Sequence, residues 1–214
     1  MDRRGWALWA IAATVATGCA GESAEPIPNV VQPGAPGETS RVLTPDEVAA
    51  AEAAAAAVAS AYGSADVAFV QGMIHHHAQA IEMVALVADR AAHPDIAVLA
   101  ERLGIGQADE IAQMERWLSE RGESLGGDHS GHAMPGLLTD VELAALAAST
   151  GAAFDEAFLV AMSRHHQGAV EMVAALFAAG GGTETSLATL ANHIASEQQV
   201  EISRMTALLA ELSA

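Results

Sequence analysis

Apolar residues recur at a helical period along two long stretches of the chain, and the second stretch repeats the first. With Met73 set at zero and about 100° added per residue, Asp66, Phe69, His76, His77, Ala80, Met83 and Val84 share one helical face. The same set returns 89 residues later as Asp155, Phe158, Met162, His165, His166 and Met172, with Glu82 matched by Glu171. His75 points away from this face, and Arg164 stands at its counterpart, as expected of a solvent-facing position. Glu82 and Glu171 fall about 180° from the Met/His face, which assigns them to solvent or to helix pairing.

Punctuation residues divide the rest. Thr44-Pro45-Asp46-Glu47 is a capping box with Pro at the first helical position, opening an Ala-rich helix to about Ser60. A long helix from about Ala65 to Ala91 stops at the turn His93-Pro94-Asp95, and a return helix runs to about Arg121. A Gly-rich stretch, 122–138, leads to a second capping box, Thr139 to Glu142, and a short helix to about Ser149. A second hairpin then spans about 153–179, turns at Gly180-Gly181-Gly182 and returns over 183–212. The return helices also match, with Leu99, Gln107, Glu110, Ile111 and Met114 corresponding to Leu190, Gln198, Glu201, Ile202 and Met205. The repeating unit is an αα-hairpin (about 65–121 and 153–212), and the expected fold is all-α, a four-helix bundle of two duplicated hairpins plus short extra helices.

The N-terminus changes the picture of where this bundle resides. Arg3 and Arg4 precede an uncharged apolar run from Gly5 to Gly18, too short for a spanning helix and read as a signal peptide over residues 1–18. The only cysteine, Cys19, follows directly in a box resembling a lipoprotein cleavage site, although Ala16 stands where Leu is usual. Residues 19–43, with Pro26, Pro28, Pro33 and Pro36, then read as a lipid-anchored tether for a bundle domain over 44–214. The expected location is the extracytoplasmic face of the cell membrane; the alternative is a soluble secreted or periplasmic protein. All nine basic residues are Arg, against 27 Asp and Glu, for a net charge of −18. That field repels nucleic acid and concentrates cations.

The strings from Met73 to Met83 and from Thr150 to Met172 resemble the two halves of the bacterial family catalogued as domain of unknown function 305, with similarity from about Asp66 to the C-terminus. The resemblance implies a ferritin-like four-helix bundle in exported proteins, with copper binding in some members.

The residue types point the same way. Thioether and imidazole donors suit Cu(I), or Cu(II) where imidazole dominates. Met73 and His77 are an i, i+4 pair, and Met162 with His165 or His166 repeats it. Four inward imidazoles without partners would each cost about 1–3 kcal/mol, which favours His76, His77, His165 and His166 as metal ligands. Met73, Met83, Met162 and Met172 follow as soft ligands or lining, although any single Met also serves as core filler. Glu110 and Glu201, with His193 and Glu197 on the second return helix only, are expected beside the imidazoles, the carboxylates as acceptors that fix the imidazole tautomer, the alternative being metal ligands. His129, His132 and Met134 in the Gly-rich linker form a candidate labile copper site, the alternative being a solvated linker. Neither hairpin carries the Glu-x-x-His pair of a di-iron bundle, and no nucleophile with an adjacent base is found, so no catalytic residue is assigned. The sequence reads as a copper-buffering, sequestering or delivering protein, with a copper-handling protein as a candidate partner. The alternatives are a non-metal interaction module with a packed histidine seam, and a metal-dependent redox enzyme.

Overall fold

The computed structural model describes residues 31–32, 39–126 and 134–213. The expected signal peptide and Cys19 lie outside them, as do His129 and His132. The chain forms two compact units, Met1–Ala51 and Glu52–Ala214.

In the first unit, two short strands, β1 (Val31–Gln32) and β2 (Arg41–Val42), pair antiparallel with Val31 opposite Val42. This small ladder lies within the segment expected as a Pro/Gly-rich tether without helical period. Helix α1 (Pro45–Ser60) begins within the bounds of this unit and ends within those of the second. The Thr44 amide donates to Glu47 Oε2 at 2.8 Å and the Glu47 amide to Thr44 Oγ1 at 3.3 Å, closing the predicted capping box.

The second unit is helical. It contains α2 (Ser64–Ala85), α3 (Val87–Arg90), α4 (Pro94–Glu120), α5 (Asp140–Ala148), α6 (Ala152–Ala178) and α7 (Thr185–Leu212). The helix expected to run unbroken to Ala91 is interrupted at Leu86, whose amide reaches back to both Met83 and Val84 carbonyls and tightens the turn.

Two apolar clusters show how the long helices run. Phe69 and Met73 at the start of α2 pack with Trp117 and Leu118 at the end of α4, Val173 and Leu176 at the end of α6, and Leu187 and Leu190 at the start of α7. Met83 and Val87 pack with Ile96 and Leu103, Phe154 and Phe158, and Met205. Hence α4 and α6 both run opposite to α2, and α7 runs with it. A bundle of this order needs a long crossover from the end of α4 back to the start of α6, and residues 121–151, including α5, supply it. The internal repeat exchanges clusters: Met73 and Met114 lie in the first, their counterparts Met162 and Met205 in the second.

The duplicated aspartates join the hairpins. Asp66, 2 % exposed, accepts the amide of Gly63 at 2.8 Å and, from the far hairpin's turn, that of Gly182 at 2.6 Å. Asp155 mirrors it, accepting the amides of Ala92 at 3.1 Å and His93 at 2.9 Å in the first hairpin's turn. Each repeat's carboxylate therefore ties down the other repeat's turn.

Candidate metal centre

Between the two apolar clusters the core turns polar. Helix α2 supplies His76 and His77, α6 supplies His165 and His166, and all four are 0 % exposed. Gln107 and Glu110 of α4 and Gln198 of α7 are buried in the same bundle, and Glu201 is half-buried. The rings of His76 and His165 meet across the helix interface with centroids 3.8 Å apart and planes tilted by 40°. Within each pair the separations are 6.4 Å for His76 and His77 and 6.2 Å for His165 and His166.

Every one of these imidazoles uses Nε2. His76 Nε2 bonds the Pro135 carbonyl at 3.0 Å, and His165 Nε2 bonds the His76 carbonyl at 2.9 Å. A carbonyl only accepts, so both rings carry their proton on Nε2. His77 Nε2 lies 2.8 Å from Glu110 Oε2 and His166 Nε2 lies 2.8 Å from Glu201 Oε2. Where the carboxylate is ionised, which for Glu110 means above about 7, these nitrogens also donate. The consequence falls on the other nitrogen, because Nδ1 of all four rings is buried without a hydrogen-bond partner among the described residues. Four lone pairs are thus held inside the bundle.

Electrostatics keeps His76, His77 and His165 uncharged. Burial, reinforced by neighbouring His77, pushes His76 down to about 3 despite the Pro135 carbonyl. Burial and then His166 push His77 down to about 3. His165 is held well below the ordinary histidine value, first by burial and then by His76. Glu110 is pushed up to about 7, chiefly by burial, with His193 opposing and Glu201 and Glu197 adding to the rise.

The crossover closes the layer on one side. Gln79 of α2 holds the Leu138 backbone at both ends, donating to its carbonyl at 2.9 Å and accepting its amide at 2.8 Å. Gly136, at φ +77°, lies against the Arg164 and His165 carbonyls. A Cβ on Gly168 would run into the Pro135 carbonyl, so the crossover rests directly on the α6 backbone. Met134 Sδ and Met172 Cε both approach Gly72, one helical turn before His76, at 3.6 and 3.5 Å from where a Cβ would stand.

The remaining expected site residues divide. Met73, Met83 and Met162 are fully buried members of the apolar clusters, and Met172 packs against the first. His193 and Glu197 do not face the interior as expected. Both are exposed, about 120° and 80° round α7 from the stripe marked by Leu187 and Met205. They act on Glu110 only as charges. Among the described residues no three His, Cys, Asp or Glu side chains are grouped to hold one ion. The buried Nδ1 atoms nonetheless fit a metal by the chemistry of the donor. Gln107 and Gln198, each with an unpartnered Oε1, were visible as a repeated pair but carried no expected role.

A family model described as "Domain of unknown function (DUF305)" matches residues 66–209. The chain belongs to this family. The match begins at Asp66 and takes in both hairpins. Among solved structures, a DUF305 protein from Streptomyces coelicolor is 31 % identical at a TM-score of 0.64, covering 71 % of this chain and 95 % of its own. A DUF305 fragment from Deinococcus radiodurans is 31 % identical at a TM-score of 0.65, covering 70 % and 98 %. CopM, solved with Cu(I) bound, is 26 % identical at a TM-score of 0.58, covering 70 % of this chain and 98 % of that one. CopM has also been solved with Cu(II) and with silver. No curated protein matches in sequence. Among the described residues no helix is long and apolar enough to cross a membrane.

Proposed function

We propose that this chain binds copper outside the cytoplasm and buffers, sequesters or delivers it, with His76, His77, His165 and His166 as the principal ligands. The observation that carries this reading is the set of four buried Nδ1 lone pairs whose tautomers are fixed by partners on Nε2. Leaving such atoms unpaired costs about 1–3 kcal/mol each, and a metal ion recovers that cost. Glu110 and Glu201 orient the rings of His77 and His166. Met134 and Met172, with His129 and His132 in the adjoining linker, serve as a soft entry route. The likeness to CopM, solved with Cu(I) and Cu(II), supports copper as the metal. Attachment through a lipid on Cys19 would hold the bundle at the membrane surface, where a copper-handling partner exchanges the ion.

A second reading, a non-metal interaction module with a packed polar seam, draws on the Nε2 bonds and on the lack of a three-residue ligand cluster. Replacing the four histidines together with Gln separates the two. The copper reading expects tight copper binding to be lost while the helical bundle persists. It also expects copper to raise the melting temperature of the parent alone, since a ligand selective for the folded state stabilises it. Unchanged copper affinity in the Gln variant contradicts the ligand assignment.

A further inference from the structure

The unpaired atoms of the polar layer are not confined to histidine. Gln107 and Gln198 are 2 % and 1 % exposed, and the side-chain oxygen of each is buried without a hydrogen-bond partner among the described residues. Each lies three residues before the glutamate that holds an imidazole, Glu110 on α4 and Glu201 on α7, and so on the same helix face. Each hairpin therefore contributes two Nδ1 lone pairs and one amide oxygen, all acceptors. A buried layer whose unpaired atoms only accept is complementary to cations. It also offers a way to hold a metal where, among the described residues, no three His, Cys, Asp or Glu side chains are grouped, with an amide oxygen as the further donor.

Donor type then narrows the cation. Amide oxygen with imidazole nitrogen suits a borderline divalent ion, whereas thioethers select Cu(I) and Ag(I). Met73, Met83 and Met162 are packed within the apolar clusters on either side of the layer. Met134 and Met172 gather outside it, at Gly72. We propose that Gln107 and Gln198 are metal ligands, one from each hairpin, and that the histidine layer is a nitrogen- and oxygen-donor site for divalent copper. This rests on the assignment of the four histidines as ligands and adds the two amides and the preferred oxidation state.

The test compares the full chain with the variant Gln107→Leu/Gln198→Leu, using Cu(II) and Ag(I) as separate probes, by calorimetry and, for Cu(II), by electron paramagnetic resonance. The expected result is a Cu(II) affinity about tenfold or more lower with an altered copper spectrum, while Ag(I) affinity stays within about threefold. The melting temperature of the metal-free variant should equal or exceed that of the parent, because Leu removes a buried unpaired oxygen. Parent-like Cu(II) affinity and spectrum, or an equal loss for Ag(I), overturns the proposal and leaves the amides as core polars satisfied by water. If the Leu variant is not helical by circular dichroism, Gln107→Ala/Gln198→Ala, which adds no donor atom, is read by the same affinity and spectroscopic criteria. A parent that binds neither ion overturns the histidine assignment as well, which distinguishes that failure from failure of the amides alone.

Discussion

The two hairpins carry the same residues but do not present them alike. On α6, His165 sends its Nε2 proton across the interface to the backbone carbonyl of His76. On α2, His76 sends its own to Pro135, outside both hairpins. The difference traces to the crossover. Two hairpins related by duplication could donate symmetrically, but the chain must return along the bundle between α4 and α6, and at Gly136 it lies against the His165 carbonyl. Even the equivalent positions Gln79 and Gly168 have diverged to serve it, one as a hydrogen-bonding clamp and the other as open backbone. Duplication thus kept the nitrogen atoms, while the linker decided what covers them.

The comparison breaks most sharply at Gly168. Gly168→Ala forces the crossover off α6 and should cost about 3 kcal/mol, because the obstacle is backbone rather than a yielding side chain. Chemical denaturation measures this, and a loss below about 0.5 kcal/mol would show that the crossover is not seated as described.

The aspartates test the symmetry itself. Asp66→Ala and Asp155→Ala each remove a carboxylate that accepts two backbone amides, and each should cost about 2 kcal/mol. Similar losses in the same denaturation experiment are expected from both, since each ties the opposite hairpin's turn. A large loss at one and none at the other would mean that the hairpins are not braced reciprocally.

Acid should weaken the bundle more gradually. His76, His77 and His165 have native values below the ordinary 6.5, so the unfolded chain takes up protons first as pH falls. Their contribution is present above about 6.5 and is lost progressively as pH falls, toward about 3 for His76 and His77. The slope is on the order of 1 kcal/mol per pH unit for each ring. Glu110 works in the opposite sense, its contribution being present below 4.5 and lost as pH rises through about 7. Three rings outweigh one carboxyl, so stability of the metal-free protein should rise with pH between about 4.5 and 6.5. A flat melting temperature over that window would contradict neutral, buried imidazoles.

Much of this architecture was legible in the sequence because duplication preserved spacing. The helical face through Met73, His76 and His77 could be drawn from angles alone, and its return at Met162, His165 and His166 marked those positions as inward. Glu110 and Glu201 emerged from alignment of the return helices. His193 and Glu197 share an i, i+4 spacing, but that spacing alone does not place a pair inward, and both lie well off the apolar stripe of α7. Gln107 and Gln198 repeat in register, yet an amide on a helix ordinarily faces water, so the repeat alone does not mark them as inward. Pro135 and Gly136 could not be anticipated. A Gly-rich linker gives no period, and its seat on α6 depends on the bundle order, which follows from the packing of the apolar clusters. The same holds for Glu184, which meets both Trp117 Nε1, at 2.8 Å, and Arg121 across the ends of α4 and α7.

The fold engages Nε2 of His76, His77, His165 and His166 and keeps Nδ1 of each inside the bundle. Nitrogen-15 NMR of the imidazoles reads both features, with and without Zn(II), a diamagnetic divalent ion that imidazole suits. Nε2–H tautomers are expected for all four rings in the metal-free protein at a pH where Glu110 is ionised, with a shift of their Nδ1 resonances when Zn(II) is added. Nδ1–H tautomers on these rings, or Nδ1 resonances that Zn(II) leaves unmoved, would contradict the histidine assignment.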